Sequence, residues 1–518
     1  MVYRCSLRSQ FSAANTRTGV NHKWGICRAG YLPYGYLPRA AQQSWYWRRG
    51  RGTAASTSPS PGGSGRIELM SILMAGAASA IVTPPVGYHM GAWGLRQGRS
   101  TGVHDDLFAK ALVLENDHVR LAIVAMDVAG ITRGILEDIQ ATVLELTGIP
   151  ASHLLVNSTH NHTTPDFINA IPKELETYAK HFADVVAGTV LEASSHMSPA
   201  TAGNGWGDLT GMTINRQYKE RSIDTAVGVL RVDHADGAPL ASVINFACHN
   251  LCVGGQYLDW SADFTGVATS LVEVDEPGTV CMFISGAGGD IHPFDWWFGN
   301  TESEHMETFE DAAELGTALG EEALRITGNI STIGDVPLDV VTSVASLPRQ
   351  KPSWTVEAAR RQHEVLVEEL GVYQGETWAP GTNTATAGML NPVIYGNGLT
   401  QLLMAKRQDM PPIRADLQAF KIGDLLISGS PGELFNELGT KIKRGGGVER
   451  TWVASYCSDY IGYISTRLPH DETAVIPLVE IVDQTRYRRY YGTTTSPFAP
   501  EAGEMLVAES IALLKKLG

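Results

Sequence analysis

Residues 154–165 of this 518-residue chain read LLVNSTHNHTTP, an apolar run followed by a polar loop that carries two histidines, His160 and His162. The run at 154–157 predicts a buried β-strand, and the threonines and proline after it predict its end. In an extended chain, residues i and i+2 point to the same side, so both imidazoles are expected to face one cavity. Neutral imidazole is a common zinc ligand, and the pair is therefore a candidate metal site. The alternative is a polar strand end with two hydrogen-bonding histidines.

A further histidine, His249, also follows an apolar run. Residues 243–250 read VINFACHN, which predicts a strand that delivers His249 at its end. The alternative is an ordinary loop histidine. Cys248 comes directly before it and, on a strand, points away from it, so we expect Cys248 to pack in the core rather than bind a metal.

A carboxylate and a group of tyrosines follow later apolar runs. Residues 427–433 read ISGSPGE and predict a strand, a Pro-Gly turn and a helix that Glu433 opens. A glutamate in that position is either a metal ligand or a residue that complements the helix dipole. Tyr456, Tyr460 and Tyr463 lie in one short loop-like segment, where they are either site residues or packing aromatics.

The composition is that of an ordinary globular protein, and the length allows several small domains or one large core with a satellite. Hydrophobic residues make up 43% of the chain and charged residues 18%, which excludes a collagen, a coiled coil or a wholly disordered protein. From residue 70 onward, strand-like and helix-like runs alternate without an internal repeat, so we expect an α/β fold with a mixed sheet. The predicted strands are 111–114, 120–126, 154–157, 225–232, 242–247, 280–284, 339–345 and 425–428, and the predicted helices are 134–146, 173–194, 309–327, 355–370, 433–444 and 501–517.

The first 66 residues differ from the rest in charge. They contain ten basic residues and no Asp or Glu, whereas the remaining 30 basic and 55 acidic residues give residues 67–518 a net charge of −25. Three interpretations are an organelle transit peptide, a nucleic-acid contact, and a stretch that precedes the true start at Met70. We favour the last, because the change in composition coincides with a methionine. Residues 1–69 are then a basic, low-complexity and disordered segment or a mis-assigned start, and a protein that begins at Met70 is expected to fold and keep full activity.

Cysteine usage and the lengths of the apolar runs indicate the compartment. The six cysteines form no disulfide framework and no CxxC pair, so the cytoplasm is the default location. No run approaches the ~18 apolar residues of a membrane span. We expect no nucleic-acid partner for the acidic body, and the sequence does not indicate an oligomeric state.

Taken in order, four segments resemble the neutral/alkaline non-lysosomal ceramidase family. They are the HxH at 160–162, the NFAxH that ends at His249, the PGE at 431–433 and the Gly-Tyr segment that ends at Tyr463. The resemblance covers residues 70–518 and rests on the ordered set rather than on any one motif. Further similar segments are GAASAIVTPP at 76–85, GVHDDLFAK at 102–110, INR at 214–216, SADFTG at 261–266, YYG at 490–492 and PFAP at 497–500.

The resemblance implies a single large catalytic domain of mixed-sheet α/β type that hydrolyses the amide bond of N-acyl-sphingosine or a related N-acyl substrate. It also implies a bound Zn²⁺. Members of the family are often secreted or membrane-associated, so it adds those locations as alternatives to the cytoplasm. The implied zinc ligands are His160, His249, Glu433 and Tyr463, and the implied substrate-side groups are His162, Arg216 and Tyr490, the last with Tyr487 and Tyr491 close by in sequence.

This chemistry suits the residues. Two imidazoles, a carboxylate and a phenol match the ligand preferences of zinc, which activates water and polarises a carbonyl group. Asp127 and Asp263 are candidates for orienting the histidines, and the alternative for both is a loop-capping carboxylate.

Two departures from the family pattern leave the substrate open. Ceramide-cleaving members carry a serine in a GDxSP motif, whereas residues 288–293 read GGDIHP and place His292 there. His292 is a candidate proton carrier, since the ordinary pKa of imidazole, ~6.5, suits acid–base work near neutrality. The alternatives are a histidine that only shapes the pocket and a further metal ligand. Because the last matching motif lies shortly before Gly518, we also expect no C-terminal immunoglobulin-like domain of the kind found in the better-known members of the family. Alternatives are therefore a hydrolase of another small amide or ester, and a non-catalytic metal-binding protein.

Overall fold

A computed structural model of the chain describes residues 72–91, 98–168, 173–294, 305, 307–352, 354–370, 400–447, 451–478 and 490–518. All of them belong to one compact unit, Glu68–Gly518. The basic segment at 1–69 and the domain boundary after it lie outside the described residues and stay predictions. Among the described helices, none is both long and apolar enough to cross a lipid bilayer.

The strands fall into one large sheet, one smaller sheet and several short pairs. The strands are β1 (Met74–Ile81), β2 (His89–Met90), β3 (Gly98–Arg99), β4 (Gly102–Val103), β5 (Phe108–Glu115), β6 (Arg120–Met126), β7 (Leu154–Ser158), β8 (Ser198–Asp208), β9 (Thr213–Asn215), β10 (Ala226–His234), β11 (Pro239–Phe246), β12 (Asp259–Trp260), β13 (Val280–Ser285), β14 (Ile291–Pro293), β15 (Leu338–Leu347), β16 (Ile413–Ile422), β17 (Leu425–Gly429), β18 (Glu433–Leu434), β19 (Thr451–Ala454) and β20 (Tyr463–Ile464).

The helices named here lie among the described residues. They are α1 (Arg133–Thr147), α2 (Lys173–Ser195), α3 (Asp263–Asp275), α4 (Phe309–Thr327), α5 (Val356–Leu370), α6 (Asn436–Gly445), α7 (Arg467–Thr473), α8 (Tyr491–Thr494) and α9 (Ala502–Leu517).

The large sheet has eight strands in the order β13-β11-β10-β8-β1-β5-β6-β7. The pairs β11–β13 and β6–β7 at its two edges are parallel, and the pairs between them are antiparallel. The smaller sheet has the order β15-β16-β17-β19, with β17 and β19 parallel. The predicted mixed-sheet α/β fold is therefore confirmed.

The two sheets pack face to face, with helices on both outer sides. The core between them contains Phe420 and Trp452 of the smaller sheet together with Leu230 and Val232 of β10. The opposite face of the large sheet packs against α1 and α2 at one end and against α3 and α4 at the other. Helices α6 and α9 cover the outer face of the smaller sheet. This helix–sheet–sheet–helix order buries every apolar face of the main elements.

Strand alternation in β10 shows how the sequence produces these layers. Val227 and Val229 belong to the cluster under α3 and α4, whereas Leu230 and Val232 belong to the cluster between the sheets. Because successive side chains of a strand point to opposite faces, a strand with apolar residues in both registers is buried on both sides.

The two edge strands of the large sheet meet at their carboxyl ends. The backbone N–H of Ser285, at the end of β13, donates to Asn157 Oδ1 in β7 at 3.2 Å, and the Ser285 hydroxyl donates to the Ser158 carbonyl at 3.2 Å. A twist of about 20–25° per strand, accumulated over eight strands, explains how two distant edges come round to each other. Asn157 Nδ2 also donates to the carbonyl of Ser455, directly after β19, at 2.5 Å. The ends of β7, β13 and β19 are thus joined through one amide side chain.

We expect Asn157→Ala to destabilise the protein by about 2–6 kcal/mol, because it leaves a buried N–H and a buried C=O without partners, each at a cost of ~1–3 kcal/mol. Asn157 is fully buried. The measurement is urea unfolding followed by circular dichroism.

The matched control is Asn329→Ala. Asn329 is exposed, and its amide donates to the Arg325 carbonyl at 2.7 Å. Water replaces that bond, so the control is expected to lose less than about 0.5 kcal/mol. Equal losses in the two variants would contradict the role assigned to Asn157.

Candidate metal centre

The loop after β7 brings His160 and His162 together, but not in the way that the sequence predicts. The strand ends at Ser158, and His160 adopts a left-handed conformation with φ of 59°, so the expected extended i, i+2 geometry is wrong. The Asn161 side chain tightens the loop by accepting from the backbone N–H of Thr163 at 3.0 Å. Within this turn the Nε2 atoms of His160 and His162 lie 3.3 Å apart. The two imidazoles therefore do face one site, through a turn rather than a strand.

His249 and Glu433 meet His160 from the other side. His249 lies three residues after β11, and its Nε2 is 3.1 Å from Nε2 of His160. Glu433 Oε2 lies 3.2 Å from Nε2 of His160 and 3.4 Å from Nε2 of His249. The side chains of all three residues are buried. Three loops that are far apart in sequence thus supply one cluster.

Glu433 does not open a helix, which corrects the prediction of a helix from 433 to 444. Glu433 lies in β18, which pairs in parallel with β20 so that Glu433 faces Tyr463 in register, and α6 begins at Asn436. The Asp290 carboxylate accepts from the backbone N–H of Asn436 at 2.7 Å and so satisfies an amide of the first turn. The dipole-complementing role proposed as an alternative for Glu433 therefore belongs to Asp290.

Backbone carbonyls fix which ring nitrogen of each histidine faces the cluster. His160 Nδ1 lies 2.6 Å from the Ala129 carbonyl, and His249 Nδ1 lies 3.0 Å from the Gly288 carbonyl. A carbonyl oxygen only accepts, so each Nδ1 carries the proton and each Nε2 presents a lone pair to the cluster. Such a second hydrogen bond is what orients the imidazole of a metal-binding histidine.

The cluster has the composition and spacing of a metal site. The described residues place His160, His162 and His249 with their ring nitrogens within 4.8 Å of one another. Glu433 Oε2 is buried and receives no hydrogen bond from the described part of the chain. Two ligands at about 2.0–2.1 Å from one tetrahedral ion lie about 3.3–3.4 Å apart, close to the separations found here. Lone pairs and a carboxylate oxygen this close repel each other unless a cation lies between them, so the residues present fit a bound metal.

Burial keeps His249 in the form that binds a metal. Burial, followed by the positive charge of Arg216 and by the two neighbouring histidines, holds the pKa of His249 well below its ordinary value. The imidazole is therefore neutral at physiological pH. A neutral imidazole whose Nδ1 is already hydrogen-bonded is the ligand form that zinc requires.

Arg216 and Tyr463 form a pair beside this cluster. Arg216 Nη2 donates to the Tyr463 hydroxyl at 2.9 Å and to the Gly289 carbonyl at 2.7 Å. The Tyr463 ring lies nearly parallel to the ring of His249, with 6.4 Å between centroids. The structure thus places these two predicted site residues next to each other and next to His249.

Two tyrosines that the sequence left undecided contact the cluster directly. Tyr460 donates its hydroxyl to Glu433 Oε1 at 2.5 Å. The Tyr456 ring stacks on the ring of His160, with 4.0 Å between centroids and 15° between planes. Their grouping in one loop was the available signal, but sequence alone did not separate them from packing aromatics.

Two other predicted residues lie outside the three-histidine group. His292 is fully buried in β14, where it pairs with Ile214 of β9, and its Nδ1 lies 2.7 Å from the Pro293 carbonyl. Tyr490 donates its hydroxyl to Glu472 at 2.8 Å. The adjacent Tyr491 packs edge to face against Tyr463, with 5.9 Å between centroids. The catalytic roles of His292 and Tyr490 stay predictions.

The two aspartates considered for orienting the histidines support backbone instead. Asp127 accepts from the N–H of Phe108 at 2.9 Å, and Asp263 accepts from the N–H of Val253 at 2.9 Å. Burial raises the pKa of each to about 6. Both carboxylates therefore hold loop backbone, which is the alternative given for them above. The Nδ1 atoms of His160 and His249 are oriented by backbone carbonyls instead of by these aspartates.

Comparison with known proteins gives a fold-level match. No protein-family model matches the chain, and no curated protein matches it. Among solved structures, it is similar to the neutral ceramidase from Pseudomonas aeruginosa, with a TM-score of 0.65 and 18% identity over 86% of this chain and 74% of that one. It is also similar to a structure described as a ceramidase complexed with C2, with a TM-score of 0.63 and 17% identity over 86% of this chain and 75% of that one. The chain therefore has the fold of the neutral ceramidases.

Proposed function

We propose that this protein is a zinc-dependent hydrolase that cleaves an amide bond of an N-acyl substrate. The observation that carries the proposal is the convergence of imidazole nitrogens from His160, His162 and His249 with Glu433 Oε2 in one buried cluster. The neutral ceramidase fold supports the same reaction class, and ceramidases act on lipid amides. Residues 70–518 would form the catalytic domain.

The residues divide into those that would hold the metal and those that would act on the substrate. His160, His249 and Glu433 would bind the ion, with Tyr463 as the proposed fourth ligand. Bound zinc lowers the pKa of a coordinated water to about 7 and polarises a carbonyl group.

The remaining residues would serve the hydrolysis itself. The oxygen of water bonds to the carbonyl carbon, the C–N bond breaks, and the leaving nitrogen takes a proton. Arg216 is buried beside the cluster and supplies a fixed positive charge for the oxygen that becomes negative. His162 lies beside His160 and is the proposed carrier of the proton.

The identity of the acyl substrate depends on position 292. N-acyl-sphingosine is the substrate that the ceramidase resemblance suggests, whereas His292 in place of a serine favours a different small amide or ester. Compared with a serine, the buried imidazole of His292 has no hydroxyl group and occupies more space. We therefore keep hydrolysis of a short N-acyl amide as the second candidate function.

Purified protein is expected to contain one zinc per chain, and His160→Ala is expected to lose it, because the variant removes a nitrogen that faces Glu433 at 3.2 Å. The measurement is plasma mass spectrometry of the metal together with amide hydrolysis. His196→Ala is the control, since His196 is exposed on the end of α2 and should change neither quantity. A wild-type protein without stoichiometric metal would refute the proposed function.

Tyr460→Phe is expected to weaken zinc binding about 10–100-fold, as for other residues that hold a metal ligand in place. The variant removes the hydrogen bond to Glu433 Oε1 and leaves the ring. Competition with a chelating dye measures the affinity. Tyr178→Phe is the control. It removes a buried phenol hydroxyl that donates to the Val82 carbonyl, and Tyr178 lies in the core between the large sheet and helices α1 and α2. An unchanged zinc affinity in Tyr460→Phe would show that Glu433 does not depend on the hydrogen bond from Tyr460.

The substrate is tested by comparing N-acyl-sphingosine with short N-acyl amides under the same conditions. If position 292 sets the choice, His292→Ser should raise ceramide hydrolysis relative to hydrolysis of the short amides. Turnover of ceramide by the wild-type protein would support the first candidate function, hydrolysis of N-acyl-sphingosine. Turnover of short amides alone, unchanged in the variant, would show that position 292 does not select the substrate.

A further inference from the structure

Tyr456 is held in a conformation that is costly for an aromatic residue. Its φ is 55°, in the left-handed region, where a side chain with a Cβ pays roughly 1–2 kcal/mol. Its backbone is fixed from both sides, because its N–H donates to the Gly432 carbonyl at 3.0 Å and its carbonyl accepts from the Ser158 N–H at 3.1 Å. Gly432 precedes Glu433, and Ser158 begins the turn to His160. The strained residue therefore ties together the two loops that supply the cluster.

The same conformation directs the Tyr456 side chain to the cluster. Its ring stacks on His160 at 4.0 Å and lies edge-on to His249 at 6.5 Å. The phenol thus lies among the groups of the site rather than in the surrounding apolar core.

Its hydroxyl group is buried and has no hydrogen-bond partner among the residues that the structure describes. The other two tyrosines of this loop are already engaged, Tyr460 with Glu433 and Tyr463 with Arg216. A buried polar group without a partner is rare in folded proteins and calls for an explanation. Strained backbone that is retained at a site is a reason to look for a function there.

We propose that the Tyr456 hydroxyl donates a hydrogen bond to the carbonyl oxygen of the substrate and stabilises the negative charge that this oxygen gains during hydrolysis. This inference rests on the proposed function and adds a catalytic residue to it. A phenol has an ordinary pKa near 10 and is protonated at neutral pH, so it acts as a donor. Because the donor is fixed in place before the substrate binds, it needs no reorganisation as the charge develops.

The test is Tyr456→Phe in the zinc-loaded, full-length protein. Loss of one such donor commonly lowers kcat about 10²–10³-fold, and we expect that loss with KM changed less than threefold. Zinc affinity is expected to be unchanged, in contrast to Tyr460→Phe. The melting temperature should stay equal or rise, because the change removes a buried hydroxyl that has no partner in the described structure.

A second measurement does not depend on turnover. A phosphinate analogue of the hydrolysed N-acyl substrate carries the tetrahedral centre and the negative oxygens of the transition state. Isothermal titration should show that the phosphinate binds the Tyr456→Phe variant more weakly than it binds the wild-type protein, by the same factor as the loss in kcat. The product amine should bind equally to both proteins. Tyr178→Phe, which removes a remote phenol, should behave as wild type in both measurements.

The outcomes separate this inference from the function on which it rests. Wild-type protein without zinc would overturn the proposed function and the role of Tyr456 with it. Active, zinc-loaded wild-type protein whose Tyr456→Phe variant keeps its kcat and its affinity for the phosphinate would overturn this inference alone. Loss of zinc affinity in Tyr456→Phe would also overturn it, since it would make Tyr456 a metal ligand.

Discussion

The amide side chain of Asn157 joins the parts of the fold on which the site depends. Its two ends bond to the backbone of Ser285, at the end of β13, and of Ser455, just after β19. Asn245 makes a similar junction, since its Nδ2 donates to the carbonyls of Ile284 and Val453. These strands belong to both sheets, so the two amides set the positions at which the loops of His160, His249 and the tyrosines begin. The candidate site residues His160, His249 and Tyr456 each lie two or three residues after the strand that precedes them.

The electrostatics of the cluster follow from this convergence. Three loops deliver lone pairs and a carboxylate oxygen to within 3.1–3.4 Å of one another. Proton sharing does not relieve this arrangement, because the protons of His160 and His249 are held on Nδ1 by the carbonyls of Ala129 and Gly288. Burial also disfavours a charged imidazole. A bound cation would balance the cluster, and a ligand set of nitrogens with one carboxylate is of a kind that zinc accepts.

Much of the fold was predictable from apolar periodicity. The predicted runs at 120–126 and 309–327 coincide with β6 and α4, because both have uninterrupted patterns and clear ends. By contrast, β8 has the sequence SPATAGNGWGD, whose glycines and proline suggest a loop, and it forms because β10 pairs along most of its length. Tertiary pairing overrides local preference there. In the same way, Glu433 was expected to open a helix because Pro-Gly favours a turn into one, and pairing with β20 placed it in a strand.

The site was predictable as a set of residue types but not as a geometry. His160 and Tyr456 both adopt positive φ, and Ser458 does so two residues later. Sequence patterns predict left-handed conformations mainly at glycine and asparagine. They therefore predict an extended backbone at these positions and the wrong direction for the side chains. The left-handed residues let the loops of His160 and Tyr456 turn back within two residues of their strands and face the cluster. Local sequence rules fail here because fixed strand ends hold these residues in conformations that an isolated segment would not adopt. Backbone strain of this kind persists where the surrounding fold imposes it, and it is concentrated at functional sites.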